Sequence, residues 1–206
     1  MTDPLTVLAL EALVMAWPEG LHVDPVTGRG SCIETTLIVS RVLTRMEIEH
    51  RPMPCQVWLA NARGREFADA GLPVADWPQD AYSVGVDPDM AVTQASVSEP
   101  YSLNAFAGHL AVAGSDWVVD LTVQQFARPD KGIVIDGGLL ADGLPIDPTA
   151  DERQMIEGNL RGGGIIRYIT RNELASWRRT PAWRQDVEGG LIEAVCESMI
   201  DRLAGR

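Results

Sequence analysis

Apolar residues recur at helical spacing near the start of the chain, at Leu5, Leu8, Ala9, Ala12 and Met15, and this period predicts a helix. Asp3-Pro4 precedes the stripe, with aspartate as a cap and proline tolerated at the first helical position. Pro18-Glu19-Gly20 ends it, and residues 20–30 read as a glycine-bearing loop. A second helical stripe follows at Ile33, Leu37, Ile38, Val42 and Met46. Ser31 with Glu34 three residues on is a capping-box pattern. Arg45 suits the C-terminal end of a helix dipole, and Pro52 and Pro54 prevent continuation.

The period then changes. Residues 55–60 read as a strand, 61–81 as an irregular excursion and 82–86 as a short strand. Asp87-Pro88-Asp89 is a turn signal. Residues 109–113 and 117–121 form an antiparallel hairpin around Gly114-Ser115-Asp116. Residues 133–135 and 164–169 are further strands. The segment 136–163 between them, rich in Gly, Asp and Pro, reads as a long loop or flap. A helix is predicted over 172–178. A last one runs over 186–203, with Ile192, Val195, Met199 and Leu203 on one face. The order of helix, helix, strands, helix predicts an α+β fold, with N-terminal helices packed on an antiparallel sheet and a C-terminal helix.

Composition narrows the function. The 206 residues are 46% apolar and 22% charged, which fits a packed core of ordinary domain size. The net charge of −12 disfavours nucleic-acid backbones and anionic membrane surfaces. The Met-Thr-Asp-Pro start does not read as a secretory signal, and the apolar run after it is too short to cross a bilayer, so the expected location is cytoplasmic. Cys32, Cys55 and Cys196 form no disulfide framework, and the cysteines and histidines lack metal-ligand spacing. Neither a metal nor a cofactor is expected.

The candidate chemistry begins at Cys32. The capping pattern places it in the first turn of the second helix, where free N–H groups and the helix dipole stabilise a thiolate. A histidine partner is the other device that activates a thiol. His109 is the candidate, and Asp120 lies across the predicted hairpin, able to orient the imidazole. The hairpin register expected from its turn sets His109 opposite Asp120 or Leu121. Asp116 falls in the turn. Cys55 and Cys196 read as core thiols, and His22 and His50 as structural histidines.

These pieces resemble the transglutaminase-like superfamily. The matching residues are Gly30-Ser31-Cys32, Gly108-His109-Leu110-Ala111-Val112 and Trp117-Val118-Val119-Asp120-Leu121-Thr122. Arg29-Gly30-Ser31-Cys32-Ile33-Glu34 is also similar to a motif of arylamine N-acetyltransferases. The resemblance covers roughly residues 25–125 and implies a papain-like core. It implies one domain over 1–206, with its core at about 20–135 and a C-terminal strand and helices at 164–206. It further implies Cys32 as nucleophile, His109 as base and acid, and Asp120 as orienter. The reaction would be amide hydrolysis or acyl transfer through a thioester, on a protein, peptide or small amide. The glutamine that papain-type enzymes place six residues before the cysteine is replaced by Val26, so an oxyanion donor beyond the Cys32 N–H is unassigned. Trp17, Trp58 and Tyr101 are candidates to shape that site. Two rivals stand beside this reading. One is a catalytically silent binding or assembly module. The other is an N-acyltransferase using a CoA thioester, disfavoured by the scarcity of basic residues other than Arg29 and the Arg178-Arg179 pair. The segments 61–81 and 136–163 are candidate determinants of substrate choice.

Overall fold

The computed structural model describes residues 2–17, 32–87, 106, 108–143, 146–147, 150–187 and 189–205. Among them are five α-helices: α1 (Pro4–Ala16), α2 (Cys32–Arg45), α3 (Ala62–Asp69), α4 (Pro181–Arg184) and α5 (Gly189–Ala204). Seven strands accompany them: β1 (Arg51–Ala60), β2 (Ser83–Val86), β3 (His109–Ala113), β4 (Trp117–Asp120), β5 (Leu139–Asp142), β6 (Met155–Asn159) and β7 (Ile165–Thr170). The fold is α+β. The strands form one antiparallel sheet in the order β5-β4-β3-β1-β7-β6, and β2 also pairs with β1.

The sheet separates two cores, and strand alternation decides which residue joins which. Val112, Trp117 and Val119 face the helices, packing with Leu10 and Leu13 of α1, Ile38 and Val42 of α2, and Val195 and Met199 of α5. Ala111, Ala113 and Val118 face the other way, into a second core with Met53, Cys55, Val57, Ile166 and Tyr168. His109 and Asp120 share their parity and point into this second core.

The helix starts follow the sequence. Asp3 Oδ2 accepts the Thr6 N–H at 3.1 Å, and Pro4 opens α1. The buried face of α1 differs from expectation. Ala9, Leu10, Ala12 and Leu13 are buried, while Leu5, Leu8 and Met15 are exposed. Apolar residues surround nearly the whole helix, so periodicity selects no face, and packing against α5 makes the choice. The Pro18-Glu19-Gly20 stop, the 20–30 loop, Ser31 of the capping box and most of the Asp87-Pro88-Asp89 turn lie outside the described residues.

Four expectations are corrected. The strand predicted over 55–60 begins at Arg51 and includes Pro52 and Pro54. The Pro54 carbonyl accepts the Arg171 N–H at 2.8 Å, so the hydrogen-bonding side of Pro54 faces the edge just past Thr170, where the β7 ladder ends. Its missing N–H costs no ladder bond there. The excursion 61–81 contains α3, capped by Asn61, whose Oδ1 accepts the Gly64 N–H at 2.7 Å. That cap outweighs the low helix propensity of Gly64. The segment 136–163 contains β5 and β6, held by pairing with β4 and β7 rather than by strand-forming sequence. The helix predicted over 172–178 is instead a 3₁₀ turn at Ser176–Arg179 followed by α4. Pro181 opens α4, and the Thr180 side chain accepts the Trp183 N–H.

Candidate active site

The β3-β4 hairpin carries two of the three predicted site residues at its open end. Val112 pairs with Val119 and Ala113 with Val118. Continuing that register sets His109 opposite Thr122, so Asp120 is its diagonal neighbour rather than its direct partner. Both side chains still share a face, because the offset is two residues. The turn is tight: Gly114 N–H donates to the Trp117 carbonyl at 2.9 Å. A Cβ on Gly114 would lie 2.2 Å from Trp117 Nε1. Asp116 lies in this turn, far from the open end.

His109 is 1% exposed and Asp120 2%. His109 Nε2–H donates to Asp120 Oδ2 at 2.7 Å. Tyr168 O–H donates to the same oxygen at 2.9 Å. The other oxygen, Oδ1, accepts the Thr122 N–H at 2.9 Å and the Thr122 hydroxyl at 3.0 Å. Burial pushes the Asp120 carboxyl upward, but the His109 charge and these donors outweigh it and hold it below the usual carboxylate range. Burial likewise opposes a charged His109. Asp120, and after it Cys32, overcome this and raise the imidazole to about 10. The charged forms of both groups are therefore favoured in the fold.

Cys32 reaches this pair from the other side of β3. It is the first residue of α2, half-buried, with a free thiol. The thiol lies close enough to His109 to help favour its charged form. Because Nε2 is committed to Asp120, the ring nitrogen left for Cys32 is Nδ1. Thr36, one turn along the same face of α2, fixes the helix register. Its hydroxyl donates to the carbonyl of Leu110, the neighbour of His109, at 3.0 Å in a buried position. Glu34 accepts from Gln185 Nε2.

Sequence reasoning missed the groups that surround the imidazole. Asp120 and Thr122 launch a 3₁₀ turn over Val123–Phe126. That turn brings Gln125 Nε2 to 3.2 Å from His109 Nδ1. It also sets the Phe126 ring against the imidazole, at 5.3 Å and 69° between planes. The short spacing from Asp120 through Thr122 to Gln125 was the available signal. Tyr168 comes from a strand 48 residues after Asp120 and left no local signal.

Other candidates are not brought to this point. Trp58 packs edge-on to Trp77 at 6.2 Å and under Arg167, on the face of β1 opposite Cys55. Trp17 caps α1 and packs against the helix-side core. Tyr101, Gly28, Arg29 and Gly30 lie outside the described residues. Cys55 is buried with its thiol 3.5 Å from the His109 carbonyl, and burial pushes it well above the ordinary thiol range. Cys196 is buried on α5 and is also pushed up, first by burial. A cavity of about 590 Å³ opens at the turn end of the hairpin, lined by Asp3, His50, Asp116 and Asp147 among others. It is at the far end of β3 from His109. Among the described residues, no group of three or more His, Cys, Asp or Glu side chains could hold a metal ion. No described helix is long and apolar enough to cross a membrane. No family model, curated protein or solved structure matches the chain.

Proposed function

We propose that the protein is a cysteine-nucleophile enzyme with a transglutaminase-like, papain-like core. It cleaves or transfers an acyl group from an amide through a thioester at Cys32. The observation that carries this reading is the buried His109–Asp120 pair with the Cys32 thiol next to the same imidazole. A buried ion pair is costly to assemble, and here it is aimed at a thiol on a helix head. The thiol proton rests on His109 Nδ1, whose charged form the site favours, and is later delivered to the leaving amine. Asp120 holds the ring in the tautomer that makes this possible. The substrate class is a protein, a peptide or a small amide. Three free cysteines fit a reducing compartment such as the cytoplasm.

The test is thiol reactivity in the intact chain. At mildly acidic pH, iodoacetamide is expected to label Cys32 well before Cys55 and Cys196, as read by peptide mass. His109→Ala is expected to remove that preference. Equal or slower labelling of Cys32 in the wild-type protein defeats the reading.

A further inference from the structure

The chain carries a net charge of −12, yet no Asp or Glu occurs from Leu174 to Gln185, and three arginines do: Arg178, Arg179 and Arg184. The fold gathers them. Thr180 Oγ1 donates to the Trp177 carbonyl at 2.7 Å and accepts the Trp183 N–H at 3.3 Å, which clamps the 3₁₀ turn to α4. Trp177 is 3% exposed and meets Trp183 edge-on, with 4.4 Å between ring centroids. The Arg178 guanidinium lies over the Trp177 ring, 4.9 Å from its centroid. Arg184 Nε–H donates to the Arg178 carbonyl at 3.3 Å, so its head group is held at the same turn. All three arginines are exposed. Arg153, Arg161, Arg167 and Arg171 each face a carboxylate. Among the described residues, no carboxylate pairs with Arg178, Arg179 or Arg184. The nearest acids along the chain and across it are engaged elsewhere: Glu173 meets Arg171 and Arg153, and Glu34 accepts from Gln185. Asp186, next beyond Gln185, is exposed and forms no ion pair with the three.

We propose that Arg178, Arg179 and Arg184, with the half-buried Trp183, form a docking surface for a short acidic segment of a partner protein. Three like charges held within one turn and α4 repel one another, and carboxylates from outside relieve that repulsion. A guanidinium takes a carboxylate through two parallel hydrogen bonds. Contact with Trp177 and the bond to the Arg178 carbonyl already restrict Arg178 and Arg184, so fewer rotamers are lost when a carboxylate binds. Tryptophan and arginine are also the side chains that carry most energy at protein interfaces. The size of the cluster selects a short acidic run over a nucleic acid. A nucleic acid carries charge along its whole length and meets the repulsion of the surrounding acidic protein. The surface lies beside α2, because α4 packs against that helix and Gln185 donates to Glu34 in its first turn. The inference uses no chemistry at Cys32 and stands whether or not that thiol is a nucleophile.

The probe is a fluorescein-labelled peptide of Glu-Glu-Leu repeats, with binding read by fluorescence anisotropy on the intact chain. It is expected to bind at about 20 mM salt and to weaken at least about tenfold by about 200 mM. The combined variant Arg178→Gln, Arg179→Gln and Arg184→Gln is expected to weaken binding at least about tenfold. A control that removes the same charge elsewhere, Arg63→Gln with Arg153→Gln and Arg161→Gln, should change it by less than about twofold. Thermal unfolding verifies that both are folded. Arg179→Gln alone, at a side chain that makes no described contact, should still weaken binding about threefold. Absence of binding at low salt overturns the proposal. So do equal losses in the two combined variants, which would report whole-protein charge. An oligothymidylate that binds as tightly as the acidic peptide would make the cluster a general anion site and overturn it as well.

Discussion

Replacing Asp120 by asparagine removes one charge and almost no volume. The Asn oxygen keeps both bonds from Thr122, which the structure gives at 2.9 and 3.0 Å. Its amide then faces two donors, His109 Nε2–H and Tyr168 O–H, where the carboxylate accepted both. The ring must give up its Nε2 proton or lose its partner. Removing one member of a buried ion pair costs about 3–5 kcal/mol. Because the Thr122 bonds survive, the lower end is expected, about 3 kcal/mol. The pH dependence carries the sharper test. His109 is raised from 6.5 to about 10 on folding, so its contribution is complete below the unfolded value and is lost as pH rises through about 10. Asp120 is lowered from 3.8, so its contribution is complete above that value and is lost as pH falls through the folded one. The stability gap between wild type and Asp120→Asn should therefore be widest near pH 5–6, and should close as pH rises toward about 10. Urea unfolding of both proteins at about pH 6 and about pH 9.5 measures it. A gap equal at both values, or a variant as stable as wild type at about pH 6, would show that the pair is not ionised in the folded protein.

Two further outcomes are expected. Thr36→Val leaves the Leu110 carbonyl without its buried donor, and should lower stability by about 1–2 kcal/mol in urea unfolding while slowing iodoacetamide labelling of Cys32. Thr36→Ser should restore most of both, and an unchanged labelling rate would separate α2 register from thiol reactivity. Gly114→Ala would place a methyl 2.2 Å from the Trp117 ring, which is 3% exposed in the helix-side core. It should cost about 1–3 kcal/mol in thermal unfolding, and an unshifted midpoint would show that the turn relaxes freely.

Where the structure departs from the sequence pattern, the deciding information is non-local. The exposed Leu5, Leu8 and Met15 satisfy a helical period as well as the buried Ala9, Leu10 and Leu13 do. Only the position of α5 distinguishes the two faces. β5 and β6 sit among glycines, prolines and aspartates that signal a loop, yet each completes its hydrogen bonds against a neighbouring strand. The α3 helix rests on Asn61, whose amide also bridges the carbonyls of Asp80 and Lys131. The Lys131 carbonyl comes from 70 residues away.

The chain by itself determined what short-range chemistry can encode. Asp3-Pro4 started a helix, the apolar stripe carried Cys32 at the head of α2, and the Gly114 turn folded His109 and Asp120 onto one face. A turn and a two-residue alternation suffice for that, because both act within a dozen residues. Tertiary structure decided the rest. It set the pair on a diagonal rather than directly opposite, buried it against Tyr168, and held α2, with Cys32 at its head, to β3 through the Thr36 bond. It also turned Gln125 back over the ring. Each of these depends on the depth of burial and on the angle at which α2 crosses the sheet. Both are fixed by the packing of the two cores together and have no local signature.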